Sequence, residues 1–200
     1  MIVETEITGP VRNVLLNRPE KRNALNGEML NRLEEAFSTP PSPDERLAVI
    51  RAAGPVFCAG LDLSDHTVTT NPIEDMLHKI ETWPLPVVAV VQGDAIAGGN
   101  ELALHCDIVV ASSAARFGMS LAQIGLVPSW FLIKKLLEVA GPVRSSRARA
   151  DVSGRLSSPS GRTWRIRRSS RPMLTRSAAA TSVTSGSRGP ASATMTLSLN

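Results

Sequence analysis

A chain of 200 residues, 42% of them hydrophobic, has room for one domain with a real core, or for one domain and a tail, and holds no apolar run that could span a bilayer. Its formal charge of +4 is a sum of opposites: residues 1–140 carry 11 basic against 17 acidic side chains, a net −6, whereas residues 141–200 carry 11 arginines against Asp151 alone, a net +10. The basic balance belongs to the tail, so it is no ground for reading the core as a nucleic-acid binder. The opening residues lack a basic region followed by an apolar stretch, so no secretory leader is expected. Two cysteines far apart in sequence, Cys58 and Cys106, fit a reduced, cytoplasmic chain.

Residues 2–7 and 11–16 read as strands joined by a turn at Thr8-Gly9-Pro10. Residues 17–21 form a polar loop. A helix is expected from about Gly27 to Phe37. Asn26 can cap it, Glu28 suits its positive end, and Met29, Leu30, Leu33, Ala36 and Phe37 fall on one stripe. The Pro40-Pro41-Ser42-Pro43 cluster ends it. Residues 47–51 and 87–91, short and apolar, fit buried strands. A helix starts near Gly98 and continues through Leu104, and residues 107–111 read as another strand. Residues 130–139 form a last helix, with Phe131, Leu132, Leu136 and Leu137 as its apolar side and Gly141-Pro142 as its stop. Strands alternating with helices give an α/β class.

After Gly141 the composition changes. Residues 141–200 hold 14 Ser and 11 Arg, and their apolar residues follow neither strand nor helix periodicity. Such a stretch buries too little surface to offset its ordering entropy, so residues 144–200 are expected to form a disordered tail behind a core of residues 1–143. Its arginines have no aromatic interleaving and no helical stripe, which argues against nucleic acid as a partner.

Three segments concentrate the chemistry: Asn17 to Leu25, Phe57 to Leu63, and Gly93 to Leu104. Gly98-Gly99 follows a buried strand and opens a helix, where backbone N–H groups are unpaired and a ligand can come close. A second glycine turn at Gly60-Leu61 offers another free N–H. Two such donors on one thioester oxygen would stabilise an enolate, and losing one typically costs roughly a hundred- to thousand-fold in rate. Glu101, one helical turn beyond Gly98, can reach the same cavity as a general acid or base. The glycines 93 and 98 have phosphate-loop spacing, but Gly99 stands where that loop needs lysine. His105-Cys106-Asp107 contains ligand types whose side chains point apart, so no metal site is expected. His66 and His78 read as surface residues, and Cys58 as a small packing residue.

In this order and spacing the three segments resemble the crotonase superfamily, the enoyl-CoA hydratase/isomerase enzymes. The runs Asp107 to Ala111, Ala115-Arg116-Phe117-Gly118 and Gly125 to Trp130 continue the resemblance, which covers about Ile2 to Gly141. It implies a spiral of repeated ββα units, an acyl-CoA thioester as substrate, and no cofactor or metal beyond the coenzyme A of that substrate. It implies a place in fatty-acid metabolism, and assembly of family members into trimers or hexamers. Carried over by position, it puts the oxyanion donors on Leu61 and Gly98 and the catalytic glutamate on Glu101. It puts the coenzyme A contacts on Lys21, Arg22, Asn23, Ala24, Ala59, Asp62 and Leu63, and the acyl pocket at Leu121 and Trp130.

One departure bears on the reaction. Family hydratases carry a second glutamate where this chain has Leu121, family double-bond isomerases usually keep the acid there too, and hydration uses two carboxylates. An isomerase, decarboxylase or other one-acid reaction, or an inactive product that at most binds acyl-CoA, is the corresponding expectation. Asp65 or Asp75 are candidates for a second acid from another direction. The family's C-terminal helices also have no counterpart here, which leaves assembly in doubt.

The resemblance stops within a few residues of Arg144, where the composition also switches, and this is the pattern of GC-rich coding sequence read out of register. Translating the gene in its other two forward frames from the codon of Arg144 should therefore give a family-like helical C-terminus. Failure of both frames would make the tail a separately acquired segment.

Overall fold

The computed structural model describes residues 1–65, 72–121, 125 and 127–150, of which Pro72 and residues 143–150 by backbone alone. The chain divides into two units, Met1–Ser169 and Ser170–Asn200, and the second lies outside the described residues. So does everything beyond Ala150 in the expected disordered tail, together with His66.

The expected hairpin is present as β1 (Val3–Thr8) and β2 (Val11–Leu16), antiparallel, with Val3 opposite Leu16. Along β2, Arg12, Val14 and Leu16 are buried and the residues between them half-buried, the alternation of a strand with one face on a core. Two parallel strands follow, β3 (Leu47–Ala52) and β4 (Val87–Val91), then the two-residue β5 (Ala95–Ile96), β6 (Ile108–Ala111) and the two-residue β7 (Phe117–Gly118). The main sheet has the order β1-β2-β3-β4-β6, and β5 pairs with β7 in a second, parallel ladder.

Helices make the crossovers that parallel pairing requires. Helix α1 (Gly27–Ser38) begins where Asn26 Oδ1 accepts from the Met29 N–H at 3.0 Å, and its five predicted core residues are all buried. Arg12, on β2, reaches across to hold the far end. Its guanidinium bonds Glu45 at 2.8 and 3.2 Å, donates to the Ala36 and Thr39 carbonyls, and lies over the Trp83 ring.

Helix α2 (Pro72–Thr82) is absent from the chain-order expectations above. Its signals were present: Pro72 in the first turn, Glu74 and Asp75 at the positive end, and Ile73, Met76, Leu77 and Ile80 at helical spacing, all four now buried. Both candidates for a second acid are placed. Asp75 is exposed on α2, and Asp65 Oδ2 accepts from the Gly27 N–H at 2.8 Å, so Asp65 serves the start of α1.

Helix α3 (Gly98–Leu104) and helix α4 (Trp130–Ala150) complete the described unit. Gly141, at φ 72° and ψ 166°, breaks α4 where a stop was predicted, but helical backbone resumes at once. The reason is Pro142: a proline ends the helix before it and is equally suited to begin the next.

Replacing Asn26 by alanine removes the acceptor of the Met29 N–H. It should cost about 1 kcal/mol in urea unfolding, and an unchanged midpoint would show that the cap contributes nothing.

Candidate active site

Two turns meet beneath α3. The Leu25 N–H donates to the Gly60 carbonyl at 2.7 Å, and the Asp62 N–H to the Leu25 carbonyl at 2.9 Å. This short parallel bridge turns the intervening Leu61 N–H away from Leu25, and no acceptor among the described residues meets it. On the other turn, the Ala97 N–H is held by the Gly118 carbonyl at 2.8 Å, and the first helical bond is Glu101 N–H to Ala97 carbonyl at 3.0 Å. The Gly98 N–H therefore precedes the helical ladder and also meets no acceptor among the described residues.

The closeness of these turns needs glycine. Gly60 has φ +97°, and a Cβ there would lie 3.0 Å from Ala97 Cβ and 3.2 Å from Gly98 N. A Cβ on Gly99 would stand 2.2 Å from the Cys58 carbonyl oxygen, a collision with backbone. Cys58 itself is fully buried, which pushes its thiol up to about 12 and leaves it an inert packing group.

Glu101 rides on α3 with 1% of its surface exposed, and neither carboxylate oxygen has a hydrogen-bond partner among the described residues. Burial pushes its pKa up to about 8; the Lys135 charge and the nearby Asn100 amide pull down more weakly. His105 Nδ1 lies 2.9 Å from the Glu101 backbone carbonyl and 3.8 Å from Oε2, and its ring stacks on Phe131 at 4.9 Å between centroids. Lys135, on α4, is buried and pairs with Glu81 on α2 at 2.6 Å and with Glu138 at 3.5 Å. This set was not anticipated from the sequence. The signal for it was Glu101 and His105 four apart on one helix, hence on one face.

Beside the turns lies a cavity of about 400 Å³, lined by Lys21, Arg22, Ala24, Ala59, Leu61, Asp62 and Leu63 together with Glu20 and Ser64. Asn23 is the exception among the predicted coenzyme A contacts. It is fully buried, accepts from the Arg18 N–H at 2.8 Å, and donates to the Ala53 and Val56 carbonyls at 2.9 and 2.8 Å. Its side chain is spent on holding a loop in which Arg22 and Asn23 both have positive φ, 54° and 52°. Asp62 is also tied, to Ser64 Oγ at 2.6 Å and Arg18 Nη1 at 2.7 Å, and these bonds, Ser64 first, hold its carboxyl down to about 2.

Leu121 is half-buried three residues past Gly118, the residue that anchors Ala97. Trp130 is 70% exposed, while its neighbour Phe131 is turned to stack on His105. Adjacent helical residues face different directions, so only one of the two rings can pack on the core. Among the described residues no three His, Cys, Asp or Glu gather to hold a metal, and no helix is long and apolar enough to cross a membrane. His105, Cys106 and Asp107 bond separately, to the Glu101 carbonyl, the Leu102 carbonyl and the Val87 N–H.

A mixed α/β spiral with glycine turns under a short helix that carries a buried glutamate defines a class. Residues 6–149 match the model of that class, enoyl-CoA hydratase/isomerase, and the chain belongs to this family. It is 35% identical over 157 residues to "Probable enoyl-CoA hydratase echA6" of Mycobacterium leprae, covering 75% of this chain and 62% of the relative. It is 36% identical over 148 residues to 1,2-epoxyphenylacetyl-CoA isomerase of Escherichia coli K12, covering 68% and 56%. Solved structures agree. An enoyl-CoA hydratase from Bacillus anthracis matches with TM-score 0.70 at 25% identity, over 78% of this chain and 64% of that one. One from Mycobacterium tuberculosis H37Rv matches with TM-score 0.67 at 34% identity, over 78% and 67%. The chain thus spans between 56% and 62% of the length of these curated relatives.

The raised Glu101 pKa links stability to pH. The fold favours the protonated form, so its stabilising contribution is complete below the ordinary value of 4.5 and is lost as pH rises through about 8. Urea unfolding at a series of pH values should show stability falling across that window, by up to about 1.4 kcal/mol per pH unit, and Glu101→Gln should flatten the fall. Equal slopes in both proteins would mean that Glu101 titrates as an ordinary surface carboxyl.

Proposed function

We propose that this chain acts on acyl-CoA thioesters by one-carboxylate proton transfer, with migration of a carbon–carbon double bond as the favoured reaction. The observation that carries the proposal is Glu101: a carboxyl 1% exposed, without a hydrogen-bond partner among the described residues, on the helix whose first N–H is also unmatched.

In this proposal coenzyme A occupies the cavity between Lys21–Ala24 and Ala59–Ser64, and the thioester oxygen accepts from the Leu61 and Gly98 N–H groups. Ionised Glu101 takes a proton from one carbon of the acyl chain. The charge spreads onto the thioester oxygen as an enolate held by the two N–H donors, and the same carboxyl returns the proton at another carbon. Substrate and product are isomers, so nothing beyond the proton moves. No cofactor other than the coenzyme A of the substrate takes part. Hydration would need a second carboxylate, and Leu121 supplies none. Such a reaction belongs to the metabolism of fatty acids and related acids.

A second reading has its own support. Leu63, Val127 and Trp130 are 68, 81 and 70% exposed, apolar surface that a working pocket would cover. On that reading the chain binds acyl-CoA and turns nothing over.

The test is a panel of enoyl-CoA isomers and malonyl-type thioesters followed for product. Double-bond migration is expected, rising with pH towards about 8 as Glu101 ionises. Glu101→Gln should lower it by about a hundredfold or more, and Leu121→Glu should add water addition to the repertoire. Binding without turnover anywhere in the panel selects the second reading, and full turnover by Glu101→Gln removes that residue from the chemistry.

A further inference from the structure

His105 takes no part in the scheme above, yet its ring lies close to the one group that does the work. The histidine is 1% exposed, and its ring lies nearly flat on Phe131, with 21° between the planes. Nδ1 is 2.9 Å from the Glu101 backbone carbonyl. A carbonyl oxygen only accepts, so Nδ1 carries the proton, and this N–H is fixed by the stacking and by the helix. The carboxylate oxygen Oε2 of the same glutamate lies 3.8 Å from that N–H, just beyond bonding distance.

We propose that His105 is a positioning residue that receives the Glu101 carboxylate when it ionises. A modest rotation of the Glu101 side chain closes the 3.8 Å gap and lets the Nδ1–H share its bond between the backbone carbonyl and Oε2. The carboxylic acid has no need of the donor; the carboxylate does, because it is charged and only 1% exposed. His105 thus sets two things at once: how readily Glu101 gives up its proton, and which rotamer the base adopts.

The other groups around Glu101 act differently. Asn100, the preceding residue on α3, is buried, and its side-chain amide also favours the ionised carboxyl, but less strongly than burial opposes it. From α4, Lys135 contributes charge, but its ammonium is held by Glu81 of α2 at 2.6 Å and by Glu138 at 3.5 Å. Phe131, also from α4, offers only a ring face, and it faces His105. His105 Nδ1 meets Glu101 through both its backbone carbonyl and its carboxylate.

The inference rests on Glu101 as the proton-transfer group, so its test is read from titration and not from turnover. The protein is labelled with carbon-13 at glutamate side chains, and the Glu101 signal is assigned by its loss in Glu101→Gln. Its midpoint is then followed by NMR. His105→Leu should move the midpoint upwards by about one pH unit, a tenfold gain in proton affinity. His105→Asn, whose amide N–H stands where Nδ1 stood, should bring it back towards the parent value. A measurement on the unmutated histidine guards against misfolding of the variants: the Nδ1–H resonance should shift with the same midpoint as Glu101 and stay still in Glu101→Gln. Equal midpoints in folded His105→Leu and the parent, or an Nδ1–H resonance indifferent to Glu101, would overturn the proposal. Absence of turnover with a coupled titration would leave this proposal standing and strike at the catalytic reading instead.

Discussion

Backbone meets backbone where the Gly60 turn touches the start of α3, and no side chain fits between them. A Cβ on Gly99 would be inside the Cys58 carbonyl, and one on Gly60 would crowd both Ala97 and the Gly98 nitrogen. Everything specific about the site follows from that contact. It brings two unmatched N–H groups onto neighbouring turns, and it fixes the first turn of α3, on which Glu101 is carried. It also explains the positive φ of 49° at Ala97, a conformation that a non-glycine residue adopts only when its surroundings demand it. The strain there is held by the Ala97 N–H bond to Gly118 and by the Ile96 N–H bond to the Cys58 carbonyl, at 2.8 and 2.9 Å.

Around this contact the protein treats its charged groups in opposite ways. Arg12 and Glu45 are both buried, yet each is matched, and together they fasten the end of α1 to the segment before β3. Asp62 is wrapped by Ser64 and Arg18 and stays ionised. Glu101 is buried and left unmatched, which costs folding energy that a structural residue would not be allowed to waste. A carboxyl kept dry and without partners is poised to exchange protons, and that contrast with Glu45 is the strongest physical mark of function in the molecule.

The sequence made the local features legible. Asn26, the apolar stripe of α1, the limits of β2 and β4, and the break at Gly141 depend on neighbours within a turn or two, and periodicity or capping chemistry reveals them. The cavity wall was legible through the glycine and charged segments that line it. Asn23 was not, because its partners Ala53 and Val56 lie some thirty residues away in sequence. The exposure of Trp130 was hidden for a related reason: an apolar pair on a helix does not say which ring faces inward. The set formed by His105, Lys135 and Glu81 draws on three helices, and only folding brings it together. Helix α2 is a different case, since its start and spacing signals are local.

Lys135 and Phe131 follow Glu101 by about thirty residues in the chain. During synthesis, the strands and α3 therefore leave the ribosome well before α4. Until α4 arrives, Glu101 lacks the Lys135 charge and His105 has no ring to lie against. The site's electrostatics are thus not a property of its own segment alone. Part of them arrives late, with the helix whose Phe131 stacks on His105 and whose Lys135 places its charge near Glu101, and any nascent or cleaved chain ending before that helix would carry the sequence signature of the site without its finished surroundings.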